Sequence, residues 1–148
     1  MANRHLHAVA PVVTLVDTCV LLDVLVDDPT WADWSERALA DARDAGELAI
    51  NPIIYAEVAA GFDTVESLDE SLPVADFPRL ALPYPAGFLA SKAFLAYRKR
   101  GGTKTSPLPD FYIGAHAAVS GYRLLTRDSA RYRTYFPKLV LVTPEREM

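Results

Sequence analysis

Four carboxylates stand where solvation alone does not account for them. Asp17 follows the run Val12-Val13-Thr14-Leu15-Val16, which is apolar, β-branched and without polar alternation, the pattern of a strand buried on both faces in a parallel sheet. That puts Asp17 at the C-terminal edge, where open parallel sheets bind ligands; it is also a favoured helix N-cap. Glu57 lies in a helix opened by Asn51-Pro52 and shares a face with Ile53, Ile54, Ala60 and Gly61. A carboxylate on such a stripe is costly unless it is paired, reaches water or binds a metal. Asp110 follows Pro109 at a helix start and faces Ile113, Gly114 and Ala117, although a first-turn Asp also suits the helix dipole. Asp128 comes two residues after Thr126, at the end of the strand-like Arg123-Leu124-Leu125-Thr126, and could equally cap a segment starting at Ser129.

Each position has a bland explanation; the combination has fewer. Two carboxylates leave strand ends at one sheet edge and two point inward from helices. Gathered together they repel and raise one another's pKa, and a divalent cation removes that penalty. Oxygen-only donors, with no Cys or His at metal spacing, suit Mg²⁺ or Mn²⁺ rather than Zn²⁺. Such a site positions a phosphate, activates water and stabilises the leaving oxygen.

The elements that must hold these groups alternate. After the first strand, an apolar helical stretch runs to Val26. A second helix opens at Pro29, carries Trp31, Trp34, Ala38 and Ala42 at helical spacing, and stops at Gly46. Leu48-Ala49-Ile50 reads as a strand, Ile53–Ala60 as a helix opened by Pro52, and Val65 to Leu72 as a short helix. Pro73 to Pro85 reads as irregular. A longer helix carries Phe88, Leu89, Phe94 and Leu95 and ends in Arg98-Lys99-Arg100 before Gly101-Gly102. A loop from Thr103 to Pro107 leads to the helix from Pro109 to Val119, and a fourth strand falls within Lys138 to Val142. The pattern predicts an α/β/α sandwich with a mainly parallel central sheet.

The chain has 148 residues, is 51% hydrophobic and 23% charged, and reads as one globular domain over 1–148, with residues 1–10 a short flexible tail. Cys19 is the single cysteine, which excludes an intrachain disulfide and fits a reducing cytoplasm. No apolar run approaches the roughly 18 residues of a membrane span, and the first residues lack a signal-peptide core. The net charge of −4 argues against nucleic acid, but its distribution argues for it. Residues 1–80 hold 4 Lys and Arg against 15 Asp and Glu, whereas residues 81–148 hold 11 against 4. Either a basic surface faces phosphates or the halves interleave and the surface is mixed.

The strings Val16-Asp17-Thr18-Cys19, Ile53-Ile54-Tyr55-Ala56-Glu57-Val58, Leu108-Pro109-Asp110-Phe111-Tyr112-Ile113-Gly114-Ala115-His116-Ala117 and Leu125-Thr126-Arg127-Asp128 resemble the four acidic motifs of PIN-domain nucleases. Their order and spacing, from about Val12 to Pro144, resemble the VapC toxins of bacterial toxin–antitoxin pairs. The resemblance implies a PIN-like fold and Mg²⁺-dependent endoribonuclease cleavage leaving a 3′-hydroxyl and a 5′-phosphate. It also implies a homodimer and a small VapB-like antitoxin as partner. Asp17 and Asp110 would be the principal metal ligands. Glu57 and Asp128 would bind a second ion or orient water, with Thr126 a supporting hydroxyl. Cys19 departs from the Ser or Asn that members often carry there.

Arg98, Lys99, Arg100, Lys104, Arg127 and Arg131 are the candidates for RNA contact, holding phosphates without reading sequence; for Arg98–Arg100 a solvated helix end is the alternative. Asp23 reads as a solvated helix-end residue, His116 as pointing away from Asp110, and Tyr132, Tyr135 and Phe136 as core or interface. A catalytically silent RNA- or protein-binding module is the competing class. For a structure-specific DNA nuclease, the short chain lacks room for the clamping additions such enzymes carry. An aspartyl phosphatase would want a second Asp where Cys19 stands.

Overall fold

The computed structural model describes residues 12–144; the expected tail over residues 1–10 lies outside them. The elements are β1 (Val12–Val16), α1 (Thr18–Leu25), α2 (Ala32–Ala45), β2 (Gly46–Ala49), α3 (Pro52–Ala59), α4 (Val65–Ser71), α5 (Tyr84–Lys99), α6 (Pro109–Ser120), β3 (Arg123–Leu125), α7 (Ala130–Tyr135) and β4 (Leu141–Val142). The four strands form one parallel sheet in the order β2-β1-β3-β4. Thr14, Leu15 and Val16 in β1, and Leu124 and Leu125 in β3, are wholly buried. Successive strand residues point to opposite faces, so helices cover both faces of the sheet, as the apolar run of β1 predicts.

The order 2-1-3-4 fixes where the chemistry can sit. From β1 the chain crosses to one side to make β2, then returns over β1 to lay β3 on the other. The carboxyl ends of β1 and β3 therefore border the switch point, where a crevice opens in sheets of this kind. Register puts Val16 opposite Leu125, and the Asp17 amide donates to the Leu125 carbonyl at 2.9 Å. The residues following β1 and β3, Asp17 and Thr126, leave the sheet side by side.

The caps follow from sequence. Asn51 accepts from the Ile53 and Ile54 amides at 3.0 Å and starts α3, and Gly121, in the left-handed region at φ 71°, closes α6. Two expectations shift. The second helix begins at Ala32 rather than Pro29, because Asp28 turns the chain first by accepting from the Thr30 and Trp31 amides. Within the segment expected to be irregular, Arg79 bridges Ile50 in parallel. The Leu80 amide donates to the Ile50 carbonyl there at 2.8 Å, covering part of the β2 edge. Asp23 is a correction: it is 2% exposed rather than solvated, because α1 turns it inward toward Ser35 and Arg127.

Candidate active site

Asp17 caps α1, its Oδ1 accepting from the Thr18 amide at 2.8 Å, and it is buried. Its Oδ2 accepts from the Thr126 hydroxyl at 2.8 Å and from the Tyr132 phenol at 3.0 Å, and the Cys19 thiol lies 3.8 Å away. Capping and a role at the sheet edge are therefore compatible readings of one residue. Thr126 also receives the Asp128 amide at 3.1 Å, so one hydroxyl ties Asp17 to the loop that carries Asp128. Asp128 itself is exposed and does not cap α7, whose N-cap position is Ser129.

Asp110 enters from the first turn of α6. Its carboxylate meets the Arg131 guanidinium at 3.3 Å and the Tyr132 hydroxyl at 3.4 Å. Glu57, on α3, accepts from the Thr18 hydroxyl at 2.6 Å. It is partly exposed, and Ala60 and Gly61 beside it face solvent, so the expected apolar stripe gives way to water at the helix end. Asp17, Glu57, Asp110 and Asp128, with Thr18, Cys19 and Leu22, line one cleft of about 240 Å³.

The electrostatics follow from burial. Loss of water pushes the Asp17 carboxyl up to about 6; the Thr126 hydroxyl opposes the rise and the Asp110 charge adds to it. Burial also raises Asp110, against the pull of Arg131. Tyr132 is raised well above an ordinary phenol by burial and by the Asp17 and Asp110 charges, so it stays a hydrogen-bond donor. Burial likewise raises the Cys19 thiol, with the Asp17 charge adding, which argues against a nucleophilic thiolate. His116 is buried, its Nδ1 3.0 Å from the Asn51 amide nitrogen, and it is not among the residues lining the cleft.

The basic candidates divide. Arg100 and Arg131 line a second hollow of about 410 Å³ that shares Asp110 and Asp128 with the acidic cleft. Arg100 lies over the Tyr135 ring, and Arg131 over Tyr97 and Phe111. Lys99 and Lys104 are exposed, and Arg98 donates to the Lys104 carbonyl. Arg127 is committed elsewhere, forking onto Asp23 and lying over Trp31. Sequence reasoning missed Thr18 and Tyr132. For Tyr132 the available signal is a hydroxyl on an aromatic stripe, which needs a partner once buried.

A hard divalent cation is the chemical complement of such a donor set, all oxygen and, at Asp17 and Asp110, desolvated. Among the described residues no three carboxylate, thiol or imidazole groups converge as they would around a bound ion. Two carboxylates suffice for Mg²⁺, which keeps much of its water, and a single hydroxyl, that of Tyr132, reaches both Asp17 and Asp110.

A parallel α/β sheet with acidic residues lining a cleft at its switch point is the architecture the comparisons meet. The PIN domain model matches residues 14–137; the chain belongs to the PIN-domain family. A search of curated proteins finds no match. Among solved structures, it is similar to a chain of VapBC2 from Rickettsia felis bound to a promoter DNA fragment, at 17% identity and a TM-score of 0.69, covering 88% of this chain and 98% of that one. VapBC-1 from nontypeable Haemophilus influenzae gives 17% identity and a TM-score of 0.68, with 88% and 97% covered. FitAcB from Neisseria gonorrhoeae gives 19% and 0.64, with the same coverage. At these identities the likeness shows the fold. No helix among the described residues is long and apolar enough to cross a membrane.

Proposed function

We propose that this chain is a Mg²⁺- or Mn²⁺-dependent endoribonuclease and the toxin of a VapBC-like toxin–antitoxin pair. The observation that carries the reading is the single cleft lined by Asp17, Glu57, Asp110 and Asp128 at the β1/β3 switch point. The solved structures it resembles support the toxin assignment, since they include a toxin–antitoxin complex from Klebsiella pneumoniae and a member of the VapBC family of toxin–antitoxin systems from Mycobacterium tuberculosis. By the same analogy the partner is a VapB-like antitoxin; the resemblance read from the sequence adds a second copy of the chain, and the lone cysteine fits the cytoplasm.

In this reading Asp17 and Asp110 hold the cation. When bound there, such an ion would supply polarisation of the scissile phosphate and a lowered pKa for an attacking water. Glu57 and Asp128, at the more open side of the cleft, orient that water and accept its proton. Thr126 and the Thr18 amide fix the Asp17 carboxylate in one rotamer, so no reorganisation is needed at the moment of reaction. Arg131 and Arg100, in the adjoining hollow, hold backbone phosphates. Breaking the P–O3′ bond with the water oxygen becoming part of the phosphate leaves a 3′-hydroxyl and a 5′-phosphate.

Two observations favour a silent RNA- or protein-binding module instead: no three acidic groups converge among the described residues, and Arg131 already pairs with Asp110. Incubating total cellular RNA with partner-free protein, followed by end mapping, decides between the two. The expected result is a few discrete cuts in Mg²⁺ that vanish in EDTA and fall by at least about a hundredfold in Asp110→Asn, the scale on which a positioned catalytic group acts. Intact RNA, from folded protein that binds it, selects the silent module.

A further inference from the structure

Tyr132 sits in α7, outside the four acidic motifs in sequence, and is 1% exposed. Burying a phenol without satisfying its hydroxyl is costly, and phenylalanine would fill the same space without that requirement. The one hydrogen of this hydroxyl is shared between Oδ2 of Asp17 at 3.0 Å and, as the longer arm of a bifurcated bond, Oδ1 of Asp110 at 3.4 Å. These carboxylates come from opposite sides, one after β1 and one from the first turn of α6.

The fold sets the depth of that ring. Gly114, one turn along α6 from Asp110, faces α7; a Cβ there would come within 2.6 Å of the Phe136 ring and 3.1 Å of the Tyr132 ring. The missing side chain lets α7 lie against α6 closely enough for the hydroxyl to reach both acids. Thr126 holds Asp17 but is not bonded to Asp110, and Arg131 holds Asp110 but not Asp17. Of these three, only Tyr132 spans the pair.

We propose that Tyr132 is a positioning residue whose hydroxyl tethers Asp17 to Asp110 and sets how tightly the pair takes up a divalent cation. The inference rests on the reading that these two acids hold the ion. Without the tether, two desolvated carboxylates facing one another relax apart, and the cation must draw them together again. A tyrosine that merely fills the core would leave cation affinity unchanged when its oxygen is removed.

The test is binding of Mn²⁺, followed by electron paramagnetic resonance of the free ion, to wild type, Tyr132→Phe and Asp110→Asn, with Mg²⁺ as competitor. Tyr132→Phe is expected to weaken binding by about tenfold, a change worth about 1.4 kcal/mol, while its melting remains cooperative. With cleavage followed in parallel, added Mg²⁺ restores the Tyr132→Phe rate to near the wild-type maximum. Affinity within twofold of wild type overturns the tether, as does a rate deficit that saturating Mg²⁺ leaves in place. Absence of Mn²⁺ binding to wild type overturns it too. If Tyr132→Phe does not fold, Gly114→Ala, which pushes against the same rings, replaces it, with the same weakening expected and the same overturning result. Weakened Mn²⁺ binding in a protein that cuts no RNA sustains the tether and removes the ribonuclease reading, so the two fail separately.

Discussion

Arg127 forks onto Asp23, its Nε 2.7 Å from one carboxylate oxygen and a terminal nitrogen 2.8 Å from the other. The Ser35 hydroxyl adds a third bond to Asp23 at 2.8 Å, and the guanidinium lies over the Trp31 ring. This joins α1, the start of α2 and the loop after β3. Arg127 stands between Thr126 and Asp128, so the pair anchors the strap that carries one of the four acidic residues.

Removing one partner of a buried pair costs more than the pair contributes, because the remaining charge has nowhere to go. Arg127→Ala leaves Asp23 buried with a hydroxyl as its remaining side-chain donor and is expected to destabilise the protein by about 3 kcal/mol in urea unfolding. Asp23→Asn keeps an acceptor for Ser35 and should cost about half as much. A loss under 1 kcal/mol in Arg127→Ala would show the pair to be solvated.

Much of the fold and the acidic set was legible because each signal was local. The β-branched run of β1, the Asn51-Pro52 opening of α3 and the Gly121 stop of α6 need no distant information. Asp17 and Asp128 could be placed at one sheet edge because parallel strands all end on the same side. Asp23 could not be read this way. Its place depends on how α1 rotates against α2 and on a guanidinium 104 residues away, and helix periodicity alone left it at a helix end. Tyr132 was hidden for the same reason: its helix position says that it is buried, while its hydroxyl's role depends on which two acids arrive at that depth.

Asp17 has a folded pKa of about 6, above its ordinary 3.8. Between those values the folded metal-free protein binds a proton that the unfolded chain does not. Its contribution to stability is therefore present at acid pH and is lost as pH rises through about 6. Two units correspond to about 3 kcal/mol at most. In EDTA, the stability of Asp17→Asn relative to wild type should therefore increase from pH 4 to pH 7, measured by urea unfolding at each pH. A flat difference would place Asp17 in a better-solvated setting than the structure gives it. Mg²⁺ should offset most of that gain at neutral pH, since it stabilises only the protein that binds it, by about 2.7 kcal/mol at a hundred times its Kd.

Thr18 holds Glu57 through a 2.6 Å hydrogen bond while its amide holds Asp17. Thr18→Val keeps the amide and the β-branched shape and deletes only the hydroxyl. Stability should fall by about 1 kcal/mol, the net worth of one such bond. Glu57 is freed but not lost, so cleavage should fall by less than in Glu57→Gln. Equal losses in the two variants would mean that Glu57 acts only in the position Thr18 gives it.

In the proposed function the cation and the substrate make opposite demands on Arg131. Its guanidinium sits 3.3 Å from Asp110 and lines the hollow next to the acidic cleft, and the pair is partly exposed, so its own stabilisation is below about 1 kcal/mol. A positive charge beside a cation site repels the incoming ion, whereas the same charge beside a phosphate attracts the substrate. Arg131→Ala should therefore move two constants in opposite directions: tighter Mn²⁺ binding in the absence of RNA, and a KM for an RNA oligonucleotide raised several-fold at saturating Mg²⁺. The KM change should shrink as salt is added, because a phosphate contact releases counterions when it forms. Weaker Mn²⁺ binding in the variant would instead make Arg131 a support for Asp110, with its place beside the hollow incidental to substrate.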